Sequence, residues 1–278
     1  MTLPHQDEHI EYWTHPIHKE VELSRAHLNS FSFEKHIHLD YHIGVVSQGV
    51  QEYLHKGTHY QLTPNNISIL NPDECHNGHS LHADGYHVHV MSLPCSLVEE
   101  IATEVGVSAL FFQTPIINSQ VLQRQFLLLH TLLTTERQRL SRLEAETTLL
   151  ALVTELFGHY GQSPKLIQPS AKLGIMELSR LKQLLHEHLA SDINLEQLSS
   201  SVDLSKFQFL RQFKTAMGMT PHAYLTRLRL EYAKKSLRNG NSAINTAYEV
   251  GFFDQSHFNK AFKRAYLVTP SDFKKRVI

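Results

Sequence analysis

Along residues 21–93 the apolar positions come in short runs, at 41–47, 50–55, 67–70 and 86–91. Polar turns interrupt them at Gly49, Gly57, Pro64-Asn65-Asn66, Asn71-Pro72-Asp73 and Ala83-Asp84-Gly85. Runs of that length closed by Gly, Pro, Asn and Asp predict strands, and their close spacing predicts a small antiparallel barrel or sandwich. After Pro94 the period changes. Segments 95–107, 119–133 (Val121, Leu122, Phe126, Leu129, Leu133) and 141–160 (Leu149, Leu150, Val153, Leu156, Phe157) carry apolar stripes at helical spacing, which predicts amphipathic helices that cover part of the barrel. Residues 1–20 show little periodicity and read as an N-terminal arm. Residues 161–173 are polar with two prolines and read as a linker.

From residue 174 the pattern is helical, beginning with a helix at 176–189, and residues 195–276 contain themselves twice. At an offset of 49, Phe209 falls on Phe258, Phe213 on Phe262, Lys214 on Lys263, Ala216 on Ala265, Thr220 on Thr269, Pro221 on Pro270 and Arg227 on Arg276. A gapless match of this kind marks one supersecondary unit used twice. In the first copy Asn194 caps a short helix with Gln197 placed for the reciprocal bond, Leu195 and Leu198 begin its apolar stripe, and Ser205 caps a second helix that stops at Gly218. In the second copy Ile244, Ala247 and Val250 form the apolar stripe, Gly251 turns the chain, and Asp254 caps the second helix. Thr220-Pro221 opens a long connecting helix to about Leu237, ended by Asn239-Gly240-Asn241. Helix, tight turn and helix, with cations on the outer face of each second helix, is the logic of major-groove reading.

The run from Pro221 to Pro270, with Ala233, Leu237, Ile244, Ala247, Gly251-Phe252, Asp254-Gln255-Ser256-His257-Phe258, Phe262-Lys263-Arg264 and Thr269-Pro270, closely resembles the DNA-binding domain of AraC/XylS-type transcriptional regulators. The family has Gly where Leu267 stands. Either that helix ends differently here, or a Leu in the left-handed region costs about 1 kcal/mol. Upstream, His36-x-His38, Gly49, the Pro64 turn-strand and Glu74-Cys75-His76 resemble the family's cupin-type sensor domain, with Asn65 departing where a turn Gly is usual. The resemblance implies a two-domain α+β protein. Its N-terminal cupin-like β-barrel with trailing helices would span 21–160, and its C-terminal all-α domain, two helix-turn-helix units joined by a long helix, would span 174–278. It implies a sequence-specific DNA-binding transcriptional regulator, not an enzyme, with promoter DNA, a small-molecule effector, a second copy of the chain and RNA polymerase as partners.

Helix geometry assigns the DNA contacts. Lys206, Phe207 and Gln208 in the first copy, and Gln255, Ser256, His257 and Asn259 in the second, are expected at base edges. Arg211 and Lys260 are expected at bases or phosphates, and Lys214, Lys263 and Arg264 at the backbone. Phe207 either meets a thymine methyl or packs on its own turn. Charge agrees: residues 174–278 hold 16 Lys and Arg against 9 Asp and Glu, whereas the whole chain has a net charge of -1.

Of 21 histidines, 15 lie in the first 89 residues. His36, His38, His42 and His76 are expected near one cavity, and the resemblance puts His87 and His89 at the effector pocket too. Imidazoles there suit two readings. One is a polar pocket for an organic effector; the other is a transition-metal site for zinc, nickel, copper or iron, making a metal- or pH-responsive regulator or, as a further alternative, a metal-dependent cupin enzyme fused to a DNA-binding module. No cofactor is otherwise indicated. Two cysteines, Cys75 and Cys95, make no disulfide framework, and the first residues have neither a basic n-region nor an apolar h-region. A cytoplasmic protein without a membrane span is expected.

Overall fold

The computed structural model describes residues 8–15, 18–134, 142–162, 173–191 and 193–277. The chain falls into two compact units: most of the described residues up to 162 form the first, and those from 173 form the second together with residues 35–37.

The first unit contains β1 (His9–Thr14), β2 (Glu22–Leu28), β3 (Phe33–His36), β4 (Tyr41–Gln48), β5 (Gln51–His55), β6 (Thr58–Leu62), β7 (Ile67–Leu70), β8 (His76–Ser80), β9 (Tyr86–Leu93), α1 (Cys95–Val105), β10 (Ile116–Ile117), α2 (Gln120–Thr134) and α3 (Arg142–Tyr160). They make a six-stranded sheet, β1-β2-β9-β4-β7-β10, and a four-stranded sheet, β3-β8-β5-β6. The sheets face one another: Tyr53 Oη lies 3.4 Å from Ser68 Oγ, and a Cβ on Gly44 would meet Leu62 of the opposite sheet at 3.6 Å. The large sheet's other face carries Leu23, Ile43, Ile69, Met91 and Leu93, which form one apolar core with Phe126, Leu129, Leu152, Val153 and Phe157 of the helices. Each such side chain contributes roughly 1.5–3 kcal/mol on burial. This is the sandwich and helical cover expected from the pattern.

Two expectations are corrected. Residues 9–14 are not a loose arm: they form edge strand β1, in register with β2 from His9↔His27 to Thr14↔Glu22, with Tyr12 buried. Its Glu11 receives two hydrogen bonds from Arg25, and that guanidinium lies over Trp13. Apolar residues stand at both parities of this strand, Ile10 and Tyr12 on one and Trp13 on the other, so its alternation does not show in the sequence. At the other end, Gln162 pairs backbone to backbone with Phe111, so the chain is still tied to the first unit there, and residues 163–172 of the expected linker lie outside the described residues.

The second unit contains α4 (Ile175–Glu187), α5 (Leu195–Ser200), α6 (Lys206–Met217), α7 (Pro221–Arg238), α8 (Ala243–Glu249), α9 (Gln255–Tyr266) and α10 (Pro270–Val277). Asn194 and Ser205 both close capping boxes, with Gln197 and Gln208 respectively, and Thr220, Ser242 and Asp254 cap α7, α8 and α9. Phe209, Phe213, Tyr224, Leu228, Phe258, Phe262 and Phe273 are fully buried. Ile244, expected in the stripe of α8, is 46% exposed; Ala247 and Val250 carry the burial, because a seven-residue helix offers its core only two turns. No helix among the described residues is long and apolar enough to cross a membrane.

Candidate nucleic-acid interface and sensor site

α6 and α9 are each 12 residues long and end alike. Gly218 closes α6 at φ 71°, ψ -6°, and Leu267 closes α9 at φ 64°, ψ -4°. The second copy therefore keeps the helix end of the first and accepts a left-handed Leu, at about 1 kcal/mol. What holds it is visible in the core. Tyr266, the residue before Leu267, donates from its hydroxyl to Glu231 at 2.9 Å, and Arg227 and Lys234 both lie 4.8 Å from its ring centroid. Burial alone would raise the Glu231 carboxyl, but Lys234, Arg227 and the Tyr266 hydroxyl hold it below the usual carboxylate range. Arg227 and Glu231 sit at i, i+4 on α7, a spacing that signals the pair in the sequence.

The exposed face of α6 presents Lys206, Gln208, Arg211 and Lys214, and that of α9 presents Ser256, His257, Lys260, Lys263 and Arg264. Gln255 and Asn259 are half-buried. Two of the first copy's expected base contacts are already engaged. Lys206 Nζ lies 2.6 Å from Glu196, and Gln208 Oε1 accepts the Ser205 amide at 3.2 Å as part of the cap. His257 packs edge-on against Phe252 with centroids 5.3 Å apart. The Phe207 side chain lies outside the described residues, so neither of its expected roles is tested.

In the first unit, His38 and His42 stack with centroids 3.9 Å apart and 3° between planes, and His76 lies 5.1 Å from His38 and 6.2 Å from His42. His36, expected beside these rings, falls by its own contacts in the second unit. His76 Nδ1 lies 3.1 Å from the Glu74 carbonyl, and its cross-strand partner His55 is held by the Glu74 carboxylate at 2.9 Å. Burial would raise Glu74, but His55 and Lys56 hold it below its ordinary value. Glu22, Ser92 and His42 are successive cross-strand partners, so a buried carboxylate shares the His42 face of the large sheet, a placement that no local pattern of residues marks.

His87 and His89 do not join this group. They share strand parity with Met91 and Leu93, whose side chains belong to the helix-side core, so they lie on the opposite face of the sheet. His87 stacks on His27 at 4.2 Å, and His89 meets His130 of α2 edge-on at 5.0 Å. Burial pushes His89 down to about 4 and His130 to about 3, so both rings are neutral near pH 7.

Two family models cover these two units in turn. The AraC-like ligand binding domain matches residues 18–153, and a helix-turn-helix domain matches 198–276. The chain belongs to the AraC family of transcriptional regulators. It is 29% identical over 233 residues to the HTH-type transcriptional regulator YbfI of Bacillus subtilis, covering 81% of each chain. It is 32% identical over 109 residues to the transcriptional activator RhaS of Escherichia coli, covering 39% of each. Among solved structures, ToxT of Vibrio cholerae shares the fold with a TM-score of 0.60 at 14% identity, covering 93% of this chain and 98% of that one. The protein is thus a DNA-binding transcriptional regulator with a ligand-binding N-terminal domain.

Proposed function

We propose that α6 and α9 enter successive major grooves on one face of the duplex, about 34 Å apart, so that one chain reads a non-palindromic site of about two turns. The observation that carries this reading is the matched pair of recognition helices, equal in length, alike in their ends and each with an exposed cationic face. Arg211 and Lys260 carry the sequence reading. Lys214, Lys263 and Arg264 neutralise phosphates and set affinity on any DNA. An effector bound at the His38, His42 and His76 end of the sensor biases DNA affinity through its different affinity for two states. α2 leaves Val121, 68% exposed, and Leu128, 61% exposed, seven residues apart on one face, which supports pairing of two copies.

Gel-shift titration against a site selected from random duplexes tests the assignment. Lys260→Ala is expected to weaken the selected site far more than random DNA, and equal losses on both would make it a phosphate contact. Arg264→Ala is expected to weaken all DNA and flatten the salt slope by about one unit; an unchanged slope would remove it from the backbone contacts.

A further inference from the structure

We infer that Phe253 packs against the 5-methyl group of a thymine in the major groove, an assignment that rests on the groove reading of α9 above and adds to it a residue outside the helix itself. Phe253 stands in the turn between α8 and α9, directly before the cap Asp254, and is 90% exposed. Its neighbour Phe252 is 5% exposed, with its ring centroid 5.3 Å from that of His257 and 5.3 Å from that of Phe258. The turn thus sends one phenylalanine into the core and the next outward.

The outward ring does not hold the turn. An apolar residue immediately before a helix cap often packs on the fourth residue of the helix and so fixes the angle at which the chain enters. In α9 that fourth residue is Phe258, fully buried against Phe252 and Phe262, so Phe252 does this work and Phe253 stays in solvent. At the offset of 49 the first copy has Leu204, half-buried before its cap Ser205. The second reader therefore presents an aromatic face where the first presents a partly covered leucine.

Phe253 adjoins the groove-reading end of α9. Asp254 Oδ1 accepts the His257 amide at 2.7 Å and fixes the first turn, Gln255 to His257, next to Phe253 in the chain. The N-terminal turn of a recognition helix meets base edges, and the apolar group that a base edge offers in the major groove is the thymine methyl. A phenylalanine ring has on the order of 150–250 Å² to cover, and a methyl group laid on it leaves water at no cost in hydrogen bonds. Phe253 would then select thymine at a position beside those read by Ser256, His257 and Lys260.

The test uses the full chain and the duplex it selects from random sequence, at one fixed salt concentration. Each thymine of the selected site is replaced in turn by deoxyuridine, which removes the 5-methyl group and keeps the pairing. At the thymine under Phe253 the wild type is expected to lose about fourfold in affinity, the worth of one buried methyl group, and Phe253→Ala to bind thymine and deoxyuridine there alike. The side chain is exposed, so the variant should melt as wild type does, which circular dichroism checks. A wild type indifferent to deoxyuridine at every position overturns the proposal without recourse to a variant. Equal loss on all DNA in Phe253→Ala places the ring on the sugar-phosphate backbone, and no loss on any DNA leaves it for another partner; either result overturns the proposal. Lys260→Ala separates this contact from the groove reading beneath it. If Lys260→Ala weakens the selected site specifically while Phe253→Ala still distinguishes thymine from deoxyuridine, the contact falls and the groove reading stands; if neither variant changes affinity for the selected site, both fall.

Discussion

Gly251 makes the turn of the second helix-turn-helix at φ +83°, and a Cβ placed on it would sit 2.7 Å from Ala190 Cα, 2.9 Å from the Leu189 oxygen and 3.0 Å from Ala190 C. Gly251→Ala therefore meets two costs. An L-residue in the left-handed region costs about 1 kcal/mol. Overpacking against backbone, which cannot rotate aside as a side chain can, adds about 1–3 kcal/mol. Gly240, in the same unit at φ +91°, has nothing within 4 Å of its ideal Cβ, so Gly240→Ala carries the first cost alone. The expected losses are about 1 kcal/mol for Gly240→Ala and about 2–4 kcal/mol for Gly251→Ala. For a unit of about a hundred residues, 1 kcal/mol lowers Tm by roughly 4–8 °C, so Gly251→Ala should melt at least roughly twice as far below wild type as Gly240→Ala. Helical circular dichroism of the full chain follows the loss. The single tryptophan, Trp13, lies on β1 in the other unit, so its fluorescence melt should not move. Equal shifts for the two variants would show that the connection between α4 and α5 yields to a methyl group, and the contact with Leu189 and Ala190 would then not fix the turn.

Three further expectations follow from single side chains. Leu267→Gly relieves the left-handed strain at the end of α9 but removes a half-buried side chain and adds backbone entropy, so the net change in stability should fall within about 1 kcal/mol of zero; Gly218→Leu adds strain and should cost more than 1 kcal/mol, and a reversed order in denaturant titrations would contradict the shared helix end. Leu128→Glu places a charge on the exposed apolar face of α2 and should shift the chain toward monomer in sedimentation at unchanged stability; a monomeric wild type would remove α2 as a pairing face. His130 is neutral in the fold down to about pH 3, whereas the unfolded imidazole takes a proton below about 6.5, so stability should fall with acid through that window, by about 2 kcal/mol at pH 5. His130→Gln should flatten that slope, and an unchanged acid profile would show that another group sets it.

The second unit was legible in the sequence because its signals are local. Caps at Asn194, Ser205 and Asp254 and the offset of 49 each fix a helix end or a register without reference to anything distant, and the helices begin where those residues stand. Leu267 shows the limit of a local signal: sequence left two outcomes open, and the ring of Tyr266, held by Glu231, Arg227 and Lys234 from another helix, accompanies the strained one. The strands were less legible for a geometric reason. Alternation places His87 and His89 on one face of β9, yet Tyr86, Val88 and Val90 are apolar at one parity and Met91 and Leu93 at the other, so both faces look buried and neither is marked as the interior. The choice depends on which face the helices cover, and that is settled by pairing β9 between β2 and β4 and by laying α2 across it. The same ambiguity hid β1, where Ile10 and Tyr12 are apolar at one parity and Trp13 at the other, and it hid Glu22, whose place beside the His42 row exists only once strands set 70 and 50 residues apart in sequence are brought into register. A histidine-rich strand carries its chemistry in plain sight and its direction only in the assembled sheet, which is why His38, His42 and His76 gather where four positions were expected near a cavity while His87 and His89 turn to the helices.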